Sequence, residues 1–454
     1  MRWKQTLAIA ALAWVTACSG GSGSVTAPSP TPSPTPTPTP AASRYQLEAG
    51  GPLIGNVRFY ESAIIEPASS NYSALGTDLN GIAYFGNGDA LAAAFGPKAF
   101  VDRGLDNSLL GIGVDRFSGL PMNLWAPYGS SVASLVTSLL YTVDNQAAVK
   151  RALQLDTSFA FVNPNRDLRT FSWARALGSA NADDVADARR LRAANVRLFA
   201  YLHAVELVRY EPPVSYTETQ FTPSPADLGK VVKANPGIEL FTEAGAAAVL
   251  RTYPRYSVGN PPFRDDVIAA AAHFLTLYSE SIGPAITDDA VAASYMLATR
   301  AYLRRTLLEL FIANSPAAAA RVMAISAADI SQAVAPYLDY PTLSTNALFP
   351  VPDFLVVPAG GTVTIPFDDP RSTGLPTLAG NDFTFFLDGG QPLKLDRVTL
   401  PARFDSAISV TMQADQSVVI QAKPGFTGVA WFEYDETSAR GKPSATGRAY
   451  VTVR

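Results

Sequence analysis

The 454-residue chain holds two histidines, His203 and His273, and a single cysteine, Cys18. One cysteine excludes an intramolecular disulfide and a Cys-rich zinc site. Both histidines have apolar neighbours (Phe199 to Val205, FAYLHAV; Ala270 to Leu275, AAAHFL) on stretches that read as helix. A packed, hydrogen-bonded imidazole is the expectation at each, ahead of a ligand or general base. A Ser-His-Asp triad assembled by the fold stays open, because triads are defined by geometry and not by chain order. No G-x-S-x-G elbow, H-E-x-x-H, P-loop or dinucleotide fingerprint occurs.

Three carboxylate pairs, Asp183-Asp184, Asp265-Asp266 and Asp288-Asp289, would suit glycoside hydrolysis if two acids met across a sugar. Each pair opens a predicted helix, where acids bond free N–H groups and meet the positive end of the dipole. That account covers all three, and Asp368-Asp369-Pro370 reads as a turn. Asp102, Asp106, Asn107 and Asp115 form a loose acidic stretch whose spacing fits no EF-hand loop, so a solvated loop is expected. Arg189, Arg190, Arg192 and Arg197 crowd one helical stretch, with Asp183, Asp184 and Asp187 nearby. Residues 128 to 345 hold 19 basic and 20 acidic side chains, so a solvated face is expected there in preference to an anion site. The net charge of −4 argues against a nucleic-acid partner. No catalytic, cofactor-binding or metal-ligating residue is assigned.

Cys18 is the exception. Arg2 and Lys4 precede a short apolar run, Thr6 to Trp14, which is well under the ~20 residues that span a bilayer. Val15-Thr16-Ala17-Cys18 then resembles the lipobox of bacterial lipoproteins, although leucine is commoner than valine at the first position. The resemblance implies cleavage after residue 17, acylation of Cys18 and attachment to the membrane. Ser19, where an aspartate would retain such a protein at the inner membrane, implies the outer membrane of a Gram-negative cell. An ordinary signal peptide cut near Ala17 is the alternative. Residues 18–44 are rich in Ser, Thr and Pro, and the Ala27 to Pro40 run favours an extended polyproline tether. At about 3.1 Å per residue that run reaches roughly 40 Å.

Beyond the tether, hydrophobic residues at 48% and charged ones at 16% give ample material for folded cores. The expected architecture is multidomain α+β: a small β module over 45–127, an irregular helical domain over 128–345 and a β-sandwich over 346–454. In the first, Val57 to Tyr60 and Ile82 to Phe85 have strand composition. Gly51-Pro52-Leu53-Ile54-Gly55 and Thr77-Asp78-Leu79-Asn80-Gly81 resemble the prealbumin-like or carboxypeptidase-regulatory-like modules of bacterial surface proteins. In the second, Val185, Ala188, Leu191, Ala194, Leu198 and Val205 recur at helical steps within Asp183 to Tyr210. Further helices are expected near 225–234, 239–252, 265–282, 288–313 and 317–337.

Seven short β runs follow Pro350, from Phe354–Val357 to Ala449–Val453. Pro424, Phe426, Gly428, Phe432 and Tyr434, then Ala449, Val451 and Val453, resemble the closing strands of bacterial cadherin-like or immunoglobulin-like repeats. The expected function is that of a lipid-anchored cell-envelope protein with a non-enzymatic binding or adhesion role. Its partners would be the membrane, through the acylated N-terminus, and an envelope or extracellular protein or glycan. The alternative is an envelope carbohydrate-active or peptidase-like enzyme with its site in the helical domain.

Overall fold

A computed structural model describes residues 43–60, 75–76, 82–85, 108–115, 117–118, 121–127, 130–209, 225–252, 262–338, 348–349, 353–367, 378, 383–384, 393–438 and 444–454. All of them belong to one compact unit, Ala42–Arg454. The fold is mixed α+β. The segments around Cys18, the Ala27 to Pro40 run, Thr77 to Gly81, Asp102 to Asn107 and Asp368 to Pro370 lie outside the described residues.

Two small sheets open the fold. In the first, β1 (Ser43–Glu48) is the middle strand, antiparallel to β4 (Ile82–Phe85) and parallel to β7 (Val132–Ser134). In the second, β2 (Leu53–Tyr60) pairs with β3 (Leu75–Gly76) and β5 (Ser108–Asp115), and β5 pairs with β6 (Pro121–Ala126), all antiparallel. The β1–β2 connection needs its glycines. A Cβ on Gly51 would sit 2.7 Å from the Phe117 ring, and one on Gly50 would strike the sulfur of Met296.

Helices begin where the sequence supplies caps. Ser134 and Thr137 form a capping box on α1 (Leu135–Val143), and Asn145 caps α2 (Gln146–Ala152). The short α3 (Trp173–Ala176) starts at Ser172, and α4 (Ala182–Arg209) is the long helix expected over 183–210. Next come α5 (Pro225–Ala234), α6 (Glu243–Thr252) and α7 (Asp265–Ser281), close to their expected bounds.

The stretch expected as one helix over 288–313 is α8 (Asp289–Ala298), a π turn (Thr299–Leu303) and α9 (Arg304–Ala313). The expected 317–337 helix is also divided, into α10 (Pro316–Met323) and α11 (Ala327–Val334). Ser326 and Asp329 form a second capping box, which starts a new helix where propensity alone would continue the old one.

Most of the described C-terminal strands form two sheets. One is ordered β12-β15-β16-β9, from β9 (Asp353–Val357), β12 (Leu393–Thr399), β15 (Gly428–Ser438) and β16 (Ser444–Val453). The other is β10-β14-β13, from β10 (Thr362–Ile365), β13 (Ile408–Met412) and β14 (Val418–Ala422). Leu355, Phe432 and Val451 of the first meet Ile365, Ile408 and Ile420 of the second in a shared core. A two-stranded pair, β8 (Leu348–Phe349) with β11 (Phe383–Thr384), lies apart in the pairing order. Strand β12 escaped the sequence reading because Lys394, Asp396 and Arg397 leave little apolar content, yet its Leu395 is buried.

A larger core runs from Leu47, Leu53 and Leu124 through the helices to Trp431 and Tyr450 on the other face of the β15–β16 sheet. Tyr337 packs edge-on against Tyr450 and Phe354, with centroids 4.7 and 6.2 Å apart. A fragment covering 348–454 therefore keeps its inner core but uncovers this aromatic face. We expect it to fold as a β-rich unit that self-associates in sedimentation. Phe354→Thr with Tyr450→Thr should restore a monomer, since a fully buried ring such as Tyr450 is worth about 1.5–3 kcal/mol and the half-buried Phe354 somewhat less. A wild-type fragment that stays monomeric at high concentration would contradict the docking.

Candidate functional site

The long helix α4 dictates where the chemistry goes. Every residue from Leu191 to Val205 is buried, on all sides of the helix. The periodic apolar face is real, but Ala193, Val196, Phe199, Ala200 and Ala204 fill the remaining faces as well. The solvated arginine face expected here is therefore corrected: Arg192 and Arg197 are both fully buried, and only Arg189 and Arg190 are partly exposed.

Arg197 donates through Nε to the Ser279 carbonyl at 3.0 Å and through Nη2 to the Gly283 carbonyl, at the C-terminal end of α7. Its guanidinium lies 3.9 Å from the Phe159 ring centre. The partial negative charge of a helix end offsets a buried cation. Burial pushes the guanidinium down to about 9. Arg192 reaches Asp289 at 2.5 Å and stacks over Trp173 and Phe117 at 4.7 and 5.3 Å. Burial lowers its affinity for the proton, and Asp289 opposes that.

Around Arg192 two buried carboxylates tie the β strands down, Glu48 to a helix and Asp115 to the neighbouring turns. Glu48, the last residue of β1, accepts from Ser172 Oγ at 2.6 Å and from the Trp173 and Ala174 backbone N–H groups at 3.1 Å each. It thus caps α3 from another part of the chain. Burial raises Glu48 to about 7 against the pull of these donors and of Arg175. Asp115, at the end of β5, accepts from the Gly51, Phe117 and Ser118 N–H groups at 2.7–3.0 Å and from Ser118 Oγ at 3.0 Å. Burial raises it too, ahead of the lowering by those donors. The solvated loop expected for Asp115 is corrected: strand pairing with Leu53 carries it into the interior.

Arg300 sits in the π turn, where the irregular turn presents it to both ends of the fold. Its Nη1 donates to the Ser118 carbonyl at 2.6 Å, and the guanidinium lies 4.6 Å from the Phe354 ring centre on β9.

His203 is buried, edge-on to Phe199 at 4.6 Å. Burial first, then Arg304 and Arg300, hold its imidazole well below the ordinary histidine range. It is a packed, neutral ring. His273 lies elsewhere, on α7, with Nδ1 2.7 Å from Glu243 Oε1. The carboxylate pairs sit at three separate helix starts, and each sends an acid to an arginine: Asp184 to Arg166, Asp265 to Arg251 and Asp266 to Arg264, and Asp289 to Arg192. Asp288 also accepts from the Val291 N–H at 2.8 Å as the cap of α8.

Among the described residues no three His, Cys, Asp or Glu side chains gather as a metal ion requires, and no helix is long and apolar enough to cross a membrane. Sequence reasoning passed over Glu48, Arg192, Arg197 and Arg300 as site residues. The available signal was the small and apolar residues filling every face of α4. Comparison with known families, curated proteins and solved structures finds no significant match for this chain.

Proposed function

We propose that the chain is a lipid-anchored cell-envelope protein with a non-enzymatic binding or adhesion role. Cys18 carries the lipid, the Ser/Thr/Pro-rich stretch holds the body away from the outer membrane, and the body presents a surface to an envelope or extracellular protein or glycan. On this reading the first strands belong to a prealbumin-like module and the last to an immunoglobulin-like or cadherin-like sandwich.

One observation carries the non-enzymatic part. Three buried groups whose proton affinity burial shifts, Glu48, Asp115 and Arg197, each bind the chain's own backbone. Strong shifts of this kind mark an active site only when the group is aimed at a substrate. Here Glu48 joins a strand to a helix, Asp115 a strand to its neighbouring turns, and Arg197 one helix to the end of another.

The enzymatic alternative has one foothold. His273 is oriented by Glu243 while 26% of its side chain stays exposed, which is how a general base is held.

The test pairs anchor and chemistry. Cys18→Ser should move the protein from the detergent to the aqueous phase in a cloud-point separation, and unchanged partitioning would remove the anchor. In intact cells, shortening the Ala27 to Pro40 run should weaken capture of large partners. His203→Gln with His273→Gln should leave capture intact in a variant whose circular dichroism matches wild type. The reverse pattern would make the protein an enzyme.

A further inference from the structure

We infer that β1 is a mechanical clamp, placed where tension on the N-terminal segment enters the body. The inference rests on the anchored reading for its purpose, though the geometry stands without it. Residues preceding Ser43 join the body at the start of β1. That strand is paired along its whole length, its first half antiparallel to β4 on one side and its second half parallel to β7 on the other, with Gln46 held by both. Ladder hydrogen bonds lie across the strand direction, so a pull along β1 loads them together and they must fail together. The register runs from Ser43↔Phe85 to Gln46↔Ile82 on one side and from Gln46↔Val132 to Glu48↔Ser134 on the other. The Gln46 N–H also donates to the Ser131 carbonyl at 3.0 Å.

The far end of the strand is bolted. Drawing β1 toward its N-terminus would extract Glu48 from the three donors at the start of α3, and Ala49 from the Trp173 indole N–H, which donates to its carbonyl at 3.1 Å. Beyond them there is no slack: Gly50 and Gly51 are pressed against Met296 and Phe117, and the Gly51 N–H is bonded to Asp115 at 2.9 Å. Two ladders and a buried carboxylate therefore resist the same displacement.

A processive ATP-driven unfoldase–protease tests this, because it pulls from whichever end bears the tag while the folded body braces against its pore. The full chain with Cys18→Ser is tagged at the N-terminus in one set and at the C-terminus in another. Glu48→Ala should raise the degradation rate at least tenfold from the N-terminus and less than twofold from the C-terminus. If Glu48→Ala does not fold, Ser172→Ala removes one of the donors to Glu48, along with the cap on the Arg175 N–H, and should accelerate N-terminal degradation at least threefold with the same asymmetry. Equal acceleration from both ends would reduce Glu48 to an ordinary stabilising residue, and no acceleration from the N-terminus would remove the clamp. The anchor is judged separately: a Cys18→Ser protein that still partitions into detergent overturns the anchored reading and leaves the unfoldase result untouched.

Discussion

Arg197→Ala should lower the free energy of unfolding by about 4 kcal/mol, enough to threaten a fold of ordinary stability. The change leaves the carbonyls of Ser279 and Gly283 without their donor inside the core, and empties the space against Phe159. Arg197→Met should cost about half as much, because it refills the volume and removes a buried charge while leaving the same two carbonyls unpaired. Urea denaturation with an unchanged slope would report both numbers. An alanine variant within 1 kcal/mol of wild type would mean that the helix end finds water instead.

The second large effect is on pH. Glu48 is raised from 4.5 to about 7 by burial, so the folded protein holds this proton more tightly than the unfolded chain does. Its contribution is complete below pH 4.5 and is lost as pH rises through about 7, a swing of about 3 kcal/mol. Asp115, raised for the same reason, adds in the same direction. His203 works oppositely: it is neutral in the fold, so acid below its ordinary value of 6.5 favours the unfolded chain. Glu48→Gln should therefore flatten the fall in stability between pH 5 and pH 8 while leaving the acid limb in place. A Gln variant with the wild-type pH profile would show that the three donors keep Glu48 ionised throughout.

Much of the fold was legible because its signals are local. The acids opening α7 and α8 and the 3.6-residue period of α4 are written in neighbouring residues, whereas the caps at Ser134, Asn145 and Ser172, equally local, open short helices that the sequence reading did not single out. The interruptions were less legible. Ser326 and Asp329 spell a capping box inside an alanine-rich run, where propensity points the other way. The polar junction was not legible at all, because its members come together from distant parts of the chain. Glu48 meets Ser172, and Arg300 meets Ser118, through strand pairing and helix packing. Nothing near Glu48 marks it as buried except the turn that follows, Ala49-Gly50-Gly51-Pro52, whose glycines fit only against Met296 and Phe117.

The core that joins Leu47 to Tyr450 also sets when the protein can finish folding. Contacts of such sequence separation form late and slowly, whatever the order of the helices between them. A nascent chain that lacks β16 leaves β15 and β9 without their shared partner, and leaves Tyr337 and Phe354 without Tyr450. A truncation that removes β16 would thus yield a sticky intermediate with open strand edges, a substrate for chaperones and quality-control proteases. Abundance in the cell should accordingly be more sensitive to lesions in β16, which joins β15 to β9, than to comparable lesions in the peripheral strand β13.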